Sequence, residues 1–458
     1  MIFRQVLHED LGCASYFIGD AATGIAAVVD PQWDIEPYLH QGRLHDVRIG
    51  HVLETHNHAD HVSGHGRLTR ATGARIHVHR LAEAEYEHDP FEDGWKLALG
   101  EVEVEALHTP GHRPEHTAFV LRDAGRGADP WAVLTGDSLF VGDVARPDLA
   151  IDKSEGAAGI FRSVHERLLS LPGEVEVWPG HVGGSMCGSA GIDHKTSSTI
   201  GFERQHNRAL RFDTEADFVA DAVATIGRRP PNVERIVSLN QGPLVEAIGS
   251  PSPATPLEVE SAIAAGAVVI DARTNEQFDE AHIPGALSIS AYDTGFATKV
   301  AEVVDPQTDL IVVAASDGYE LEAAQLLGAV GLRAQSYLHG GMTAWRSEGR
   351  PVESIKLIDA AELETRIDTG DGLAVLDVRG EGEWAEGHIP GSLHIPYQEL
   401  HDRIGELPED RRLATICSGG KRSGLAASIL QRAGRNVLHV AHGGVKSWGD
   451  GDRPLERG

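Results

Sequence analysis

A chain of 458 residues, 41% hydrophobic and 24% charged, is too long for one ordinary hydrophobic core and is expected to form three domains of roughly 100 to 200 residues each. Its formal charge of -29 repels phosphate backbones and argues against a nucleic-acid partner, and no apolar run approaches the ~20 residues needed to span a bilayer. The opening MIFRQVLHEDLG puts acids and a glycine where a signal peptide needs apolar residues, so a cytoplasmic protein with no membrane partner is expected.

The N-terminal region holds most of the 25 histidines. An apolar run, HVLE (His51 to Glu54), leads into THNHADH (Thr55 to His61), which sets His56, His58, Asp60 and His61 on one short loop at a strand end, where imidazoles and carboxylates converge on a metal. Three further strand-like runs end at potential ligands: EVEVEALHTPGH at His112, WAVLTGD at Asp137 and EVEVWPGH at His181. One metal site built from four strand ends is therefore expected, while His40, His45, His51, His65, His77, His79 and His88 read as ordinary core or surface residues. The spacing itself admits one metal or two.

Two other residues of this region are candidates for contacting a substrate. Arg146 lies on the loop after Asp137, where a structural pair with Asp148 is an equally simple reading. Cys187 follows His181 by six positions, where a packed, inert thiol is the plain alternative. Cys13 is expected to pack near the N-terminal strand. With Cys417 these make three cysteines, an odd and sparse set that does not suit a disulfide framework.

The stretch GSPSPATP, Gly249 to Pro256, reads as a linker because proline interrupts both helix and ladder bonding. Beyond it lies an internal repeat. VVIDARTNEQFDEAHIPGAL (Val268 to Leu287) aligns without gaps with AVLDVRGEGEWAEGHIPGSL (Ala374 to Leu393), and HGGMTAW (His339 to Trp345) matches HGGVKSW (His442 to Trp448). Each copy alternates strand-like and helix-like stretches, the pattern of a parallel α/β sheet.

In the second copy the strand RLATI ends at Cys417, followed by SGGKRSG and a helical stretch. Backbone N–H groups of such a loop, together with a helix N-terminus, stabilise a thiolate or a persulfide anion, and Lys421 and Arg422 add positive charge. The first copy places Ala314 at the position of Cys417, and Asp317, Gly318, Tyr319 and Glu320 at those of Gly420, Lys421, Arg422 and Ser423. That reversal of charge, with no thiol, makes the first copy catalytically inactive.

The HxHxDH set with His112, Asp137 and His181 resembles the metallo-β-lactamase superfamily, over about the first 245 residues. The stretches TPGHRPEHT (Thr109 to Thr117), LFVGDVARPDL (Leu139 to Leu149), PGHVGGSMCG (Pro179 to Gly188) and TSSTIGFERQHN (Thr196 to Asn207) resemble its persulfide dioxygenase branch, which is similar to glyoxalase II. The repeated module, with Cys417, Asp377, Arg379 and the HIPG turn, resembles rhodanese. Together they resemble fusions of a persulfide dioxygenase with a sulfurtransferase.

The resemblance implies an α/β multidomain chain: an αββα sandwich over residues 1–248, an inactive rhodanese-like domain over 257–354 and an active one over 355–458, the last two with parallel sheets. It implies one Fe(II) per chain on His56, His112 and Asp137, with His58, Asp60, His61 and His181 supporting that centre or forming a second metal site. Asp60 is the expected partner that sets a ligating histidine's tautomer. It further implies a low-molecular-weight thiol persulfide, O2 and sulfite or thiosulfate as reaction partners, catalysis of sulfurtransfer by Cys417 with Lys421 and Arg422, and a homodimer or homotetramer. The rival readings are a glyoxalase II-like thioester hydrolase with two metals and a non-enzymatic sulfur-responsive binding protein.

Overall fold

The structure, a computed structural model, describes residues 1–183, 191–227, 229–230, 232–247, 249–316, 318–370, 372–451 and 453–457. Packing divides the chain into Met1–Ile248 with Gly328–Gly331, and Gly249–Leu327 with Leu332–Gly458. Among the described residues no helix is long and apolar enough to cross a membrane.

The first unit is built on two six-stranded sheets. One runs in chain order through Ile2–His8, Cys13–Asp20, Ile25–Val29, Arg48–Leu53, Arg75–His79 and Asp89–Phe91; the other takes Lys96–Ala98, Val102–His108, Thr117–Asp123, Ala132–Gly136, Glu176–Pro179 and Ser198–Thr199. Side chains alternate across a strand, so Tyr16 and Ile18 enter one core while Phe17 enters another. The inner core joins both sheets, with Tyr16, Ile18 and Leu53 meeting Val104, Phe119 and Leu134. Outside the first sheet, Phe17, Val28 and Ile76 pack with Tyr38 and Leu68 of the helices Glu36–His45 and His65–Thr72. Outside the second, Val120, Val133 and Val177 pack with Ile160 and Phe218 of the helices Lys153–Arg162 and Glu215–Thr225. The layers are α, β, β, α.

The second unit contains two five-stranded sheets, each with parallel pairing throughout. Their orders correspond strand for strand: Ser252–Ala254, Ala334–Leu338, Leu310–Val313, Val268–Asp271, Leu287–Ser288 in one, and Lys356–Ile358, Val437–Val440, Arg412–Ile416, Leu373–Asp377, Leu393–His394 in the other. The Asp-x-Arg motif is a buried clamp in both copies. Arg273 chelates Asp271 and reaches the Ala281 carbonyl at 2.9 Å, and Arg379 chelates Asp377 and reaches that of Gly387 at 2.7 Å.

The expected linker is instead structured. Ser252–Ala254 forms an edge strand, where a proline costs no central ladder bond, and Thr255 and Glu258 form a capping box on the helix Pro256–Ala264. Of the three prolines, Pro253 lies in the edge strand and Pro256 in the first turn of the helix, two places that tolerate proline.

The helix Lys153–Arg162, capped by Asp152, lies almost backbone to backbone against the loop that carries His112. A Cβ on Gly159 would stand 2.8 Å from the Gly111 Cα, and one on Gly111 would stand 2.3 Å from the Ile160 nitrogen. Helix propensity favours Gly159→Ala by ~1 kcal/mol, but overpacking costs ~1–3 kcal/mol. We expect a net loss of about 1 kcal/mol or more in denaturant unfolding; equal or greater stability of the alanine variant would show that the loop can recede freely.

Candidate metal centre and thiol site

The loop following strand Arg48–Leu53 is organised by a buried carboxylate. Asp30 accepts from the Thr55 backbone N–H at 2.7 Å and from its hydroxyl at 2.9 Å, and the Thr55 oxygen then accepts from His56 Nδ1 at 2.8 Å. Because the hydroxyl proton is directed to Asp30, His56 carries its proton on Nδ1 and keeps a lone pair on Nε2. His112 reaches the same state by another route: its Nδ1 lies 3.0 Å from the Arg146 carbonyl, which can only accept.

Asp137 completes the set. Its Oδ2 lies 3.8 Å from His56 Nε2 and 3.5 Å from His112 Nε2, and all three side chains are fully buried. None of these three atoms has a hydrogen-bond partner. His116, which the sequence reading did not single out, accepts the Asp137 backbone N–H on Nε2 at 2.8 Å and so steadies the carboxylate.

Burial, with His58 and His112 nearby, pushes the His56 pKa well below its ordinary value, and burial lowers that of His112 as well. Burial would raise Asp137, but His181 and His112 hold it down at about 2. Two neutral imidazoles and one carboxylate are the protonation states a divalent cation requires. The donor set, two nitrogens and one carboxylate oxygen, therefore fits a metal that His56, His112 and Asp137 would hold.

The remaining expected residues lie beside this group. His181 spans two carboxylates, with Nδ1 at 2.7 Å from Asp137 Oδ1 and Nε2 at 2.8 Å from Asp60 Oδ2. Asp60 Oδ2 also faces His61 Nδ1 at 3.1 Å and accepts from the Cys13 thiol at 3.1 Å. Asp60 thus engages His181 and His61, not His56 or His112, whose tautomers depend on Thr55 and the Arg146 carbonyl. That corrects the expectation for Asp60: its Oδ2 serves Cys13, His61 and His181 instead.

Cys13 does more than pack near a strand. Its backbone pairs antiparallel with that of His181, and burial and Asp60 raise its pKa, keeping it a thiol. His58 Nε2 stands 3.2 Å from Asp30 and 3.4 Å from Glu54, whose other oxygen holds Ser63 and His65. His58, Asp60 and His61 could also offer ligand atoms to one ion, as could Cys13, Asp60 and His181. Asn240, also missed in the sequence, clamps the whole loop: it donates to the carbonyls of His58 and His61 and accepts from Ser63 N–H. No local motif marks it, because its partners are about 180 residues away.

Arg146 makes a two-bond pair with Asp148, at 2.7 and 2.9 Å, while its carbonyl holds His112. This residue anchors its own loop. Cys187 lies outside the described residues.

In the second unit Cys417 is buried at the end of strand Arg412–Ile416. Its Sγ receives the Gly420 N–H at 3.0 Å and lies 3.4 Å from Ser423 Oγ. Gly420 adopts φ 104°, open to glycine and costly for other residues, and caps the helix Lys421–Arg432. The two cations expected to add positive charge are each paired with an acid, Lys421 with Asp293 at 2.5 Å and Arg422 with Glu383 at 2.5 and 2.8 Å, while Arg422 still interacts electrostatically with Cys417. Backbone and helix terminus, more than net side-chain charge, surround the thiol. In the first copy Ala314 ends the corresponding strand and buried Glu320 accepts from Gly318 N–H at 2.9 Å; Asp317 lies outside the described residues.

Comparison with known proteins bears on the domains that carry these groups. Residues 8–181 match the metallo-beta-lactamase superfamily, and residues 255–348 and 359–450 each match a rhodanese-like domain. The human protein "Persulfide dioxygenase ETHE1, mitochondrial" is 30% identical over 185 residues, covering 40% of this chain and 68% of that protein. A cytoplasmic hydroxyacylglutathione hydrolase of Arabidopsis thaliana is 34% identical over 170 residues, 36% of this chain and 62% of the hydrolase. A solved metallo-beta-lactamase structure from Staphylococcus aureus subsp. aureus COL superimposes with a TM-score of 0.67 at 28% identity, covering 74% of this chain and 98% of that one. The chain belongs to the persulfide dioxygenase family of the metallo-β-lactamase superfamily, with two rhodanese-like domains on the same polypeptide.

Proposed function

We propose that the chain is a mononuclear Fe(II) dioxygenase that oxidises a low-molecular-weight thiol persulfide to sulfite, coupled to sulfurtransfer through Cys417. The observation that carries the first half is the convergence of three unpartnered buried atoms, His56 Nε2, His112 Nε2 and Asp137 Oδ2, whose other ring nitrogens are already committed. Iron held there would supply the electron exchange with dioxygen that zinc, with its filled d shell, lacks. The overall reaction balances without a reductant: RSSH + O2 + H2O gives RSH, sulfite and two protons.

The protein's own contributions are positional. Thr55 and the Arg146 carbonyl keep both ligand lone pairs facing inward, His116 holds the Asp137 main chain, and burial of every member excludes bulk water. His181, between Asp137 and Asp60, is placed to hold a proton next to the ligand carboxylate.

For sulfurtransfer, the Cys417 thiolate attacks the outer sulfur of thiosulfate. The S–S bond breaks, its electron pair leaves on sulfite, and a cysteine persulfide remains facing the Gly420 N–H. The reverse exchange joins a persulfide sulfur to sulfite.

A second reading, a two-metal thioester hydrolase, is favoured by the His58, Asp60 and His61 group and by the hydroxyacylglutathione hydrolase relative. His58 Nδ1, Asp60 Oδ1 and His61 Nε2 are likewise buried without hydrogen-bond partners, so what weighs against it is that a sulfurtransferase module has no evident use in thioester cleavage.

Oxygen uptake by anaerobically iron-loaded protein, given a panel of persulfides, separates the readings: persulfide-dependent uptake with sulfite formation is expected, whereas thioester cleavage without uptake would establish the hydrolase. In His112→Ala, bound iron and oxygen uptake should disappear together, and uptake that survives would overturn the ligand assignment. Thr55→Val removes the tautomer lock and should weaken iron binding ~10–100-fold by titration, with unchanged affinity as the contrary result. Cys417→Ser should abolish thiosulfate sulfurtransfer while leaving oxygen uptake within about twofold of wild type; loss of both in folded protein would refute the division of labour.

A further inference from the structure

The cradle around Cys417 is not completed by its own repeat. Gly420, whose N–H donates to the sulfur, has a carbonyl that accepts from Ser423 Oγ at 2.9 Å, Gly424 N–H at 3.1 Å, His439 Nε2 at 2.8 Å and Asn275 Nδ2 at 3.3 Å. His439 is fully buried, and its Nδ1 lies 2.6 Å from Oδ2 of buried Asp279. Asn275 and Asp279 both belong to the helix Asn275–Glu280 of the repeat that lacks a thiol.

Protons decide what this line is. Two hydrogen bonds, ring to carboxylate and ring to carbonyl, need two protons, one more than a neutral imidazole and a carboxylate hold together. With the extra proton on ring or carboxyl, both ring nitrogens are engaged at once, and the imidazole is fixed between Asp279 and the Gly420 carbonyl in a buried line. It adds to the Ser423 and Gly424 bonds that hold the Gly420 carbonyl. The Gly420 N–H and C=O lie on the two peptide planes that meet at its Cα, and a glycine at φ 104° has little torsional preference of its own. Anchoring the carbonyl plane restricts rotation of the plane that carries the N–H aimed at sulfur.

The contact extends along the catalytic helix. Ser423 to Leu430 are all buried. The first repeat supplies Ser288 N–H to Ser428 Oγ at 3.0 Å, His282 to Gln431 at 2.9 Å and the Gly285 carbonyl to Arg432 at 3.0 Å. The repeats are not interchangeable here. In the gapless alignment Ala385 and Glu381 stand where the first copy has Asp279 and Asn275, so only the first copy can make this contact.

We propose that Asp279 is a positioning residue for sulfurtransfer: through His439 it holds Gly420 so that the Cys417 cradle is preformed, giving the thiol-free repeat a role in the other repeat's chemistry. The inference rests on the sulfurtransferase reading of Cys417, and its test keeps the two apart. In full-length protein, the rate of Cys417 alkylation by iodoacetamide is followed on its own peptide by mass spectrometry, beside kcat and KM for sulfur transfer from thiosulfate to cyanide.

Asp279→Leu, near-isosteric but unable to bond, should slow both alkylation and kcat by about tenfold or more, with KM for thiosulfate within about twofold. Asp279→Asn should retain most of both rates, because its amide can donate to Nδ1 while Nε2–H still reaches the carbonyl. A space-filling role would instead tolerate leucine. Should the leucine variant not fold, half-buried Asn275→Ala provides the same comparison, with an expected fall of about threefold. Equal alkylation rates in wild type and the folded variant overturn the proposal; wild-type protein that is alkylated at Cys417 but transfers no sulfur overturns the sulfurtransferase reading instead.

Discussion

His56 Nε2, His112 Nε2 and Asp137 Oδ2 are buried together without a hydrogen bond, and the first unit depends on what that arrangement costs. An unsatisfied buried polar atom costs about 1–3 kcal/mol, more when it carries charge. Fully committed partners prevent relaxation: Asp30 holds Thr55, Thr55 holds His56, the Arg146 carbonyl holds His112, and His116 holds the Asp137 main chain. A cation bound there would remove the penalty at all three atoms at once. The same rigidity explains why the helix Lys153–Arg162 approaches the His112 loop through glycines, since a side chain there would displace the ligand's own backbone.

Around that centre, carboxylates and imidazoles alternate. Glu54, His58 and Asp30 form one run, and Asp137, His181, Asp60 and His61 form another, with the Cys13 thiol closing against Asp60. Each buried charge has an opposite neighbour, which is the condition for burying charge at all. His181 links the two parts, joining Asp137 of the His56, His112 and Asp137 group to Asp60.

The second unit uses duplication asymmetrically. Both copies keep the Asp-x-Arg clamp and the same strand order, because these define the module. Only the second keeps a thiol, and the helix behind that thiol is covered by the first. Lys421 and Arg422 are paired with Asp293 and Glu383, and the sulfur has beside it the Gly420 N–H, the helix terminus and the charge-paired Arg422.

Much of this was legible in the chain itself. Ligand-type residues at four strand ends, the repeat and the replacement of a cysteine by Ala314 are local patterns, and local patterns survive being read one residue at a time. The roles of Thr55, His116, Asn240 and Cys13 were not legible, nor was Asp60's turn away from His56 and His112. Those depend on which atoms meet across 20 to 180 positions, as do Asp279 and His439, 160 residues apart. The prolines of Gly249 to Pro256 show the same limit: proline forbids a central strand or helix interior, yet permits an edge strand and a first helical turn, and only packing selects between a linker and those places. By itself, then, the sequence determined the modules and the chemical types available at each site, because spacing and residue identity encode them. Tertiary structure decided tautomers, charge pairing and the contact between the repeats, because each depends on directions and distances that no linear pattern carries.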